Sequence, residues 1–423
     1  MRHVGLSSAS PTHLTYPTYL TYPTQGYHHA VARRRVALIL VVFGVVAVGT
    51  SIARPFLHGL SFVVRAANLD GTLRRVADLD ADAEHEREIA IPTARGPLRA
   101  RVYESSTRAP RRTSLLVSGL HPSGIDEPRL VKLARDLAGD DIRIVTPDIP
   151  ELSRFEITPA ITDDIEQAAL WLATQNEFSA DGRVGMMGIS FSGGSSIVAA
   201  GRPSLRDHVA YVFSLGGHDD LPRVLRYLCT GQEPLPRQQL TGDRVFTRPP
   251  HDYGVAVILL GVAERVVPRA QVEPLRAGVR RYLWASALDG GVDKAHAQAE
   301  FDAVRAMAAK LPQPSATLLR EVVDRDVVHL GARLLPYVGY YGGAPALSVS
   351  KSPKPSAPVF LLHGVEDNVI PSVESEYLAD DLRGHAPVRL LLSGLISHAD
   401  ADRPPTVSDI SALGSFWGDL LSR

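Results

Sequence analysis

The chain of 423 residues has a single cysteine, Cys229. That excludes a disulfide framework within one chain and a cysteine-rich zinc site. It also lacks an excess of charge. The formal net charge is −1, so nothing in the charge balance argues for nucleic acid as a partner. Internal repeats are missing too, apart from the pentapeptide LTYPT, which occurs twice between Leu14 and Thr24. Rich in proline and threonine and without apolar periodicity, residues 1–32 read as a disordered low-complexity tail.

Long apolar runs are scarce, with one exception. After the triplet Arg33 to Arg35 come 18 uncharged residues, VALILVVFGVVAVGTSIA, at 36–53. As a helix this run would be about 27 Å long, near the hydrocarbon thickness of a bilayer. The arginines on its N-terminal side predict a cytoplasmic N-terminus. Residues 33–53 therefore read as a transmembrane signal anchor. Membrane would be a partner, and the body would be extracytoplasmic, in a periplasm or at a cell surface. The alternative is cleavage at the small-residue triplet Ser51-Ile52-Ala53. Residues 54–87 read as a linker that runs into the acidic stretch DLDADAEHERE.

From Glu88 onward the pattern is different. EIAIPTARGPLRARVYE predicts a hairpin with its turn near Arg95-Gly96-Pro97. TSLLVSG, IRIVTPD, RVGMMGI and VAYVFSLGG are short apolar runs of the kind that form strands buried on both faces. Between them lie helical spacings, such as Leu130, Leu133 and Leu137, or Ile165, Ala169 and Leu172. Such alternation predicts an α/β fold, with a mostly parallel sheet and helices on both faces. Strand signals lapse over 218–357 and resume with PVFLLHG and VRLLLSG. The expected organisation is an N-terminal half of the α/β domain at 88–217, a helical cap insertion at 218–357, and the C-terminal half at 358–423.

Three motifs then carry chemistry. GISFSGG, Gly188 to Gly194, puts Ser190 where a strand hands over to a helix. A nucleophile elbow needs such a sharp turn with small neighbours. Ser192 stands where the common G-x-S-x-G pattern has its second glycine. In LLHGVEDNVIP, Asp367 follows a strand end, where an acid that orients a histidine must sit; Glu366 is the neighbouring candidate. In LLLSGLISHAD, His398 follows the next strand. The order serine, acid, histidine is the one used on this kind of sheet.

On these motifs the body resembles an α/β-hydrolase, in particular the dienelactone-hydrolase and prolyl-peptidase-like branches. The resemblance implies Ser190 as nucleophile, His398 as general base and acid, and Asp367 as its orienting partner. An oxyanion hole needs two backbone amides. Phe191 would supply one. The loop SGLHPSG would supply the other, from Leu120 or alternatively His121. The expected activity is that of a serine hydrolase, cleaving an ester or related acyl bond of a small-molecule or lipid-like substrate through an acyl-enzyme. No cofactor and no metal are called for. A peptidase or an acyltransferase would use the same triad, and a non-catalytic envelope binding protein could keep the same fold.

Overall fold

The strand-forming runs assemble into one eight-stranded sheet. In chain order they are β1 (Glu84–Ile91), β2 (Leu98–Ser105), β3 (Arg112–Val117), β4 (Ile142–Pro147), β5 (Val184–Ile189), β6 (Val209–Leu215), β7 (Val359–Gly364) and β8 (Val388–Ser393). Their spatial order is β1-β2-β4-β3-β5-β6-β7-β8. The structure, a computed structural model, describes residues 53–67, 71–236, 245–291, 293–396 and 406–423.

The sheet is mixed. β1 pairs antiparallel with β2, and β2 antiparallel with β4. From β4 through β3, β5, β6 and β7 to β8 every pairing is parallel. The β1–β2 turn is closed by reciprocal backbone bonds between Thr93 and Gly96. Gly96 sits at φ 118°, where a side chain would be strained.

Strand residues alternate between two cores, as a pleat of period two requires. Leu115, Val117, Met186, Val212 and Leu361 face one core. Leu116, Met187, Tyr211, Phe213, Phe360 and Leu362 face the other. The first core is covered by helices at Pro159–Thr174 and Phe191–Ala200, and by a helical segment between β6 and β7. That segment holds α-helices at Leu221–Thr230, Tyr253–Val266, Arg269–Asp289, Lys294–Lys310, Ser315–Val323 and Val327–Leu334, with a two-stranded ribbon of Gln232–Pro234 and Val245–Thr247. The second core is covered by a helix at 53–66, by Pro128–Gly139 and by the last helix, Val407–Leu421.

Several expectations about the N-terminus are corrected here. Among the described residues no helix is long and apolar enough to cross a membrane. The tail at 1–32 lies outside the described residues, as does the apolar run at 36–53 but for its last residue. The fold class is thus an α/β sheet with mixed strands and flanking helices, without a transmembrane helix. The membrane as a partner, the signal anchor and the extracytoplasmic placement of the body fall with it. The helix at 53–66 is a packing element. From Pro55 on it belongs to the same compact unit as the rest of the body. Its Phe62 ring lies 4.3 Å from that of Trp417, and its Arg65 is buried against Asp140.

Close approach of the first and last helices depends on glycine. A Cβ at Gly59 would lie 2.1 Å from the Gly414 carbonyl oxygen, and one at Gly418 would lie 2.2 Å from that of Pro55. Gly59→Ala is therefore expected to push the two helices apart and to cost about 2–3 kcal/mol. Urea unfolding followed by circular dichroism measures this, and an unchanged midpoint would refute the contact.

Candidate functional site

β3, β5, β6 and β7 are neighbours and run parallel, so the loops that leave their carboxyl ends share one rim. Ligands of open α/β sheets bind at that rim. Ser118 to Leu120 follow β3, Ser190 follows β5, Gly216 to His218 follow β6, and Asp367 follows β7.

Ser190 sits between β5 and the helix Phe191–Ala200 at φ 55° and ψ −131°, a conformation that L-residues disfavour by about 1–3 kcal/mol. Its amide donates to the Leu215 carbonyl at 2.6 Å, which holds the turn against β6. A serine that merely capped the helix would accept a bond from an amide one turn on. Ser190 makes no such bond. Its hydroxyl, half-buried, has no hydrogen-bond partner among the described residues.

Small neighbours are a steric requirement at this turn. A Cβ at Gly188 would meet the Ser192 carbonyl oxygen at 2.2 Å, one at Gly193 the Ser214 hydroxyl at 2.4 Å, and one at Gly194 the His218 carbonyl oxygen at 2.6 Å. The loop after β3 passes just as closely. A Cβ at Gly119 would be 3.3 Å from that of Ser190. The amides of Leu120 and Phe191 find no acceptor among the described residues. Two unengaged donors thus belong to segments that touch at the Ser190 turn. His121 is half-buried, its Nδ1 accepts from the Ser123 amide at 3.2 Å, and burial pushes its pKa down.

Asp367 is buried, and its Oδ1 accepts from the amides of Val369 and Ile370 at 2.8 and 3.0 Å. Oδ2 lies 3.6 Å from His363 Nε2. That histidine is engaged at both nitrogens, by Ser375 Oγ at 2.6 Å and the Ile370 carbonyl at 2.8 Å. Glu366, by contrast, is exposed and paired with Arg248 at 2.7 Å. Of the two carboxylates, Asp367 is the one with a fixed orientation. His398 lies outside the described residues, so no complete triad is present among those described. Ser190, Phe191 and the Ser118–Leu120 loop are brought together. Asp367 stands on the same rim near Gly216, where an added Cβ would be 3.5 Å from its Oδ2.

Beside the acid loop lies a buried ionic cluster. Glu374 accepts from the Asp219 amide at 2.6 Å and from Arg223 Nε at 2.5 Å. Arg223 also bonds Asp219 at 3.1 Å and Glu233 at 3.2 Å. One guanidinium faces three buried carboxylates, so protons must balance the charge. Burial, and then the charge on Glu374, push the Asp219 pKa up to about 7. The same causes push Glu233 up. At Glu374 burial opposes ionisation, but Arg223 outweighs it and holds the carboxyl below its usual range. The sequence had flagged Asp219 and Asp220 as half of a metal site. Their partners were missed. The available signal was Glu374 on the apolar stripe of its own helix, four and eight residues before the buried Leu378 and Leu382.

A different group, His58, Asp80 and Asp140, has ligand atoms close enough for a metal. Arg65 nevertheless holds both Asp140 oxygens, at 2.5 and 2.6 Å, and so puts a positive charge where a cation would sit. A groove of 580 Å³ opens nearby. Arg65, Arg74 and Lys132 line it together with Asp78, Asp82 and Glu84, and Ser190 and Asp367 are not part of its wall.

Two outcomes follow from this geometry. If the backbone at 190 is strained, Ser190→Gly should be more stable than Ser190→Ala by about 1 kcal/mol, since only glycine relaxes at positive φ; denaturant midpoints decide. The second concerns pH. The folded pKa of Asp219 is above its ordinary 3.8, as that of Glu233 is above its own. The unfolded chain therefore releases these protons first, and stability falls as pH rises from about 4 through 7 and beyond. Glu233→Gln keeps the uncharged form at every pH. It should match wild type near pH 4 and exceed it by about 1–3 kcal/mol at pH 9. Equal pH profiles for the two proteins would mean that Glu233 does not hold a proton in the fold.

No family model matches the chain, and no curated protein matches it in sequence. Solved structures do. It is similar to an esterase of Pyrobaculum calidifontis, at 15% identity and a TM-score of 0.42, covering 89% of this chain and 92% of that one. It is similar to a dienelactone hydrolase of Anabaena variabilis, at 15% identity and a TM-score of 0.37, covering 79% and 96%. It is also similar to an acylaminoacyl peptidase of Pyrococcus horikoshii, at 11% identity and a TM-score of 0.40, covering 83% of this chain and 43% of that one.

Proposed function

We propose that the protein is a serine hydrolase that cleaves an ester or related acyl bond of a small-molecule acyl substrate. The observation that supports this best is the Ser190 turn. A serine at positive φ forgoes helix capping, and it stands against a loop whose Leu120 amide, like that of Phe191, has no acceptor among the described residues. A hydroxyl and two donors so disposed suit attack on a carbonyl whose oxygen becomes negative.

In this reading Ser190 Oγ bonds to the carbonyl carbon while its proton passes to the imidazole of His398. Asp367 orients that imidazole and stabilises its charged form. The amides of Phe191 and Leu120 receive the oxyanion. Collapse expels the alcohol, which takes the proton from His398 and leaves an acyl-enzyme. Water then adds by the same route in reverse roles and releases the acid. The helical segment at 218–357 would act as the cap that shapes the acyl or alcohol subsite, between the two halves of the α/β domain at 88–217 and 358–423.

A fluorophosphonate probe tests the reading. Labelling at Ser190, abolished in Ser190→Ala, is expected. Hydrolysis of nitrophenyl esters should fall by at least about 10⁴-fold in kcat in that variant. A folded wild-type protein that resists the probe would leave the hydrolase reading without its nucleophile. Ester and amide substrates compared side by side separate an esterase from a peptidase.

A further inference from the structure

We propose that Ser192 is a positioning residue, whose hydroxyl ties the loop after β3 to the nucleophile helix and so aims the Leu120 amide at the reacting carbonyl. The proposal rests on the serine-hydrolase reading above. It concerns the residue by which this sequence departs from G-x-S-x-G.

Ser192 is fully buried, and its Oγ donates to the Ser118 carbonyl at 2.6 Å. That carbonyl is the first one beyond β3, which ends at Val117. Ser118 is itself buried. A buried carbonyl with no donor costs about 1–3 kcal/mol, so the bond has a strong reason to persist. Glycine at position 192 could not make it.

The geometry turns this bond into control of the donor. The Ser118 carbonyl shares a rigid peptide plane with the Gly119 amide. The next amide along is that of Leu120. Gly119 is the residue that lets the chain pass against Ser190, since a Cβ there would come within 3.3 Å of the Ser190 Cβ and 3.5 Å of the Ile189 carbonyl oxygen. A glycine chosen for close approach leaves the loop with more backbone freedom than any other residue would. Fixing the plane just before it removes much of that freedom. Ser192 also lies two residues from Ser190, on the first turn of the same helix. Nucleophile and donor are thereby held by one element.

The other buried serines of this helix do not play this part. Ser195 Oγ reaches back to the Phe191 carbonyl at 3.5 Å, within its own helix. Ser196 Oγ has no partner among the described residues. Ser192 is the serine of this helix whose hydroxyl bonds a different segment.

Ser192→Ala and Ser192→Gly test the proposal, with melting temperature used to confirm that each is folded and Ser192→Thr used to restore a hydroxyl. Nitrophenyl-ester kinetics and inhibition by an aryl boronic acid, which forms a tetrahedral anion on the serine, are read together. The expected result is a fall in kcat of about 10- to 100-fold with KM within about twofold. Boronate affinity should weaken by a similar factor, and Ser192→Thr should recover part of both. Folded variants with wild-type kcat and boronate affinity would overturn the proposal while leaving the hydrolase reading intact. So would a loss of kcat without any loss of boronate affinity. A wild-type protein unlabelled at Ser190 by the fluorophosphonate would overturn the hydrolase reading, and the role of Ser192 with it.

Discussion

The backbone at Ser190 holds a conformation that an L-residue keeps only under constraint, and the surrounding structure supplies that constraint. Gly188, Gly193 and Gly194 remove the side chains that would fill the space into which the turn must fold. The bond from the Ser190 amide to Leu215 pins the turn to β6. The bond from Ser192 to Ser118 pins it to the loop after β3. A strained turn persists when its environment over-determines it. Here the strand on either side of β5 contributes a restraint, so the turn is fixed by the sheet and not by its own sequence alone.

The helical segment between β6 and β7 is bound into this arrangement at the acid loop. Arg248 donates to the Val365 carbonyl at 2.9 Å, and the His251 amide donates to that of Asn368 at 2.8 Å. Tyr227 approaches the same Asn368 carbonyl at 3.4 Å. Tyr253, fully buried in the same region, has its hydroxyl pKa pushed up by burial and by the charge of Asp367. These contacts run from the helical segment to the backbone of the loop. Displacing the segment would therefore expose loop carbonyls that have no other donor nearby, a cost that opposes independent movement of the two.

Much of this was legible in the sequence because it follows from short-range pattern. Continuous apolar runs such as LLVSG and VFLLHG mark strands covered on both faces, and those faces are the two cores. The hairpin turn near Gly96 was legible from its turn residues. The elbow was legible because glycines flank a serine at a strand end. What escaped depends on contacts between distant segments. Nothing in the local sequence says that the hydroxyl of Ser192 faces Ser118, or that Glu374 meets Arg223 and Asp219 more than 150 residues away. At the N-terminus an apolar stretch suggested an anchor. The described part of that region is a helix whose glycine and aromatic residues are fitted to the last helix of the body. Hydropathy counts apolar residues, whereas only packing shows what they touch.

The acid loop illustrates how such distant contacts prepare a site. Its carbonyls at Val365, Asn368 and Ile370 are taken by Arg248, by His251 with Tyr227, and by His363. Its amides at Asp367, Val369 and Ile370 go to the Gly364 carbonyl and to the Asp367 carboxylate. Just beyond the loop, Glu374 is held by Arg223 and the Asp219 amide. A loop whose backbone groups are so fully accounted for has little freedom left. Asp367 is thereby oriented before any substrate arrives. A carboxylate that must steady a developing imidazolium works best when no reorganisation remains to be done at the moment of reaction. The protonated cluster beside it serves the same end. Protons and one guanidinium neutralise its carboxylates in place, so the loop is braced on both sides without placing a further net negative charge next to the acid.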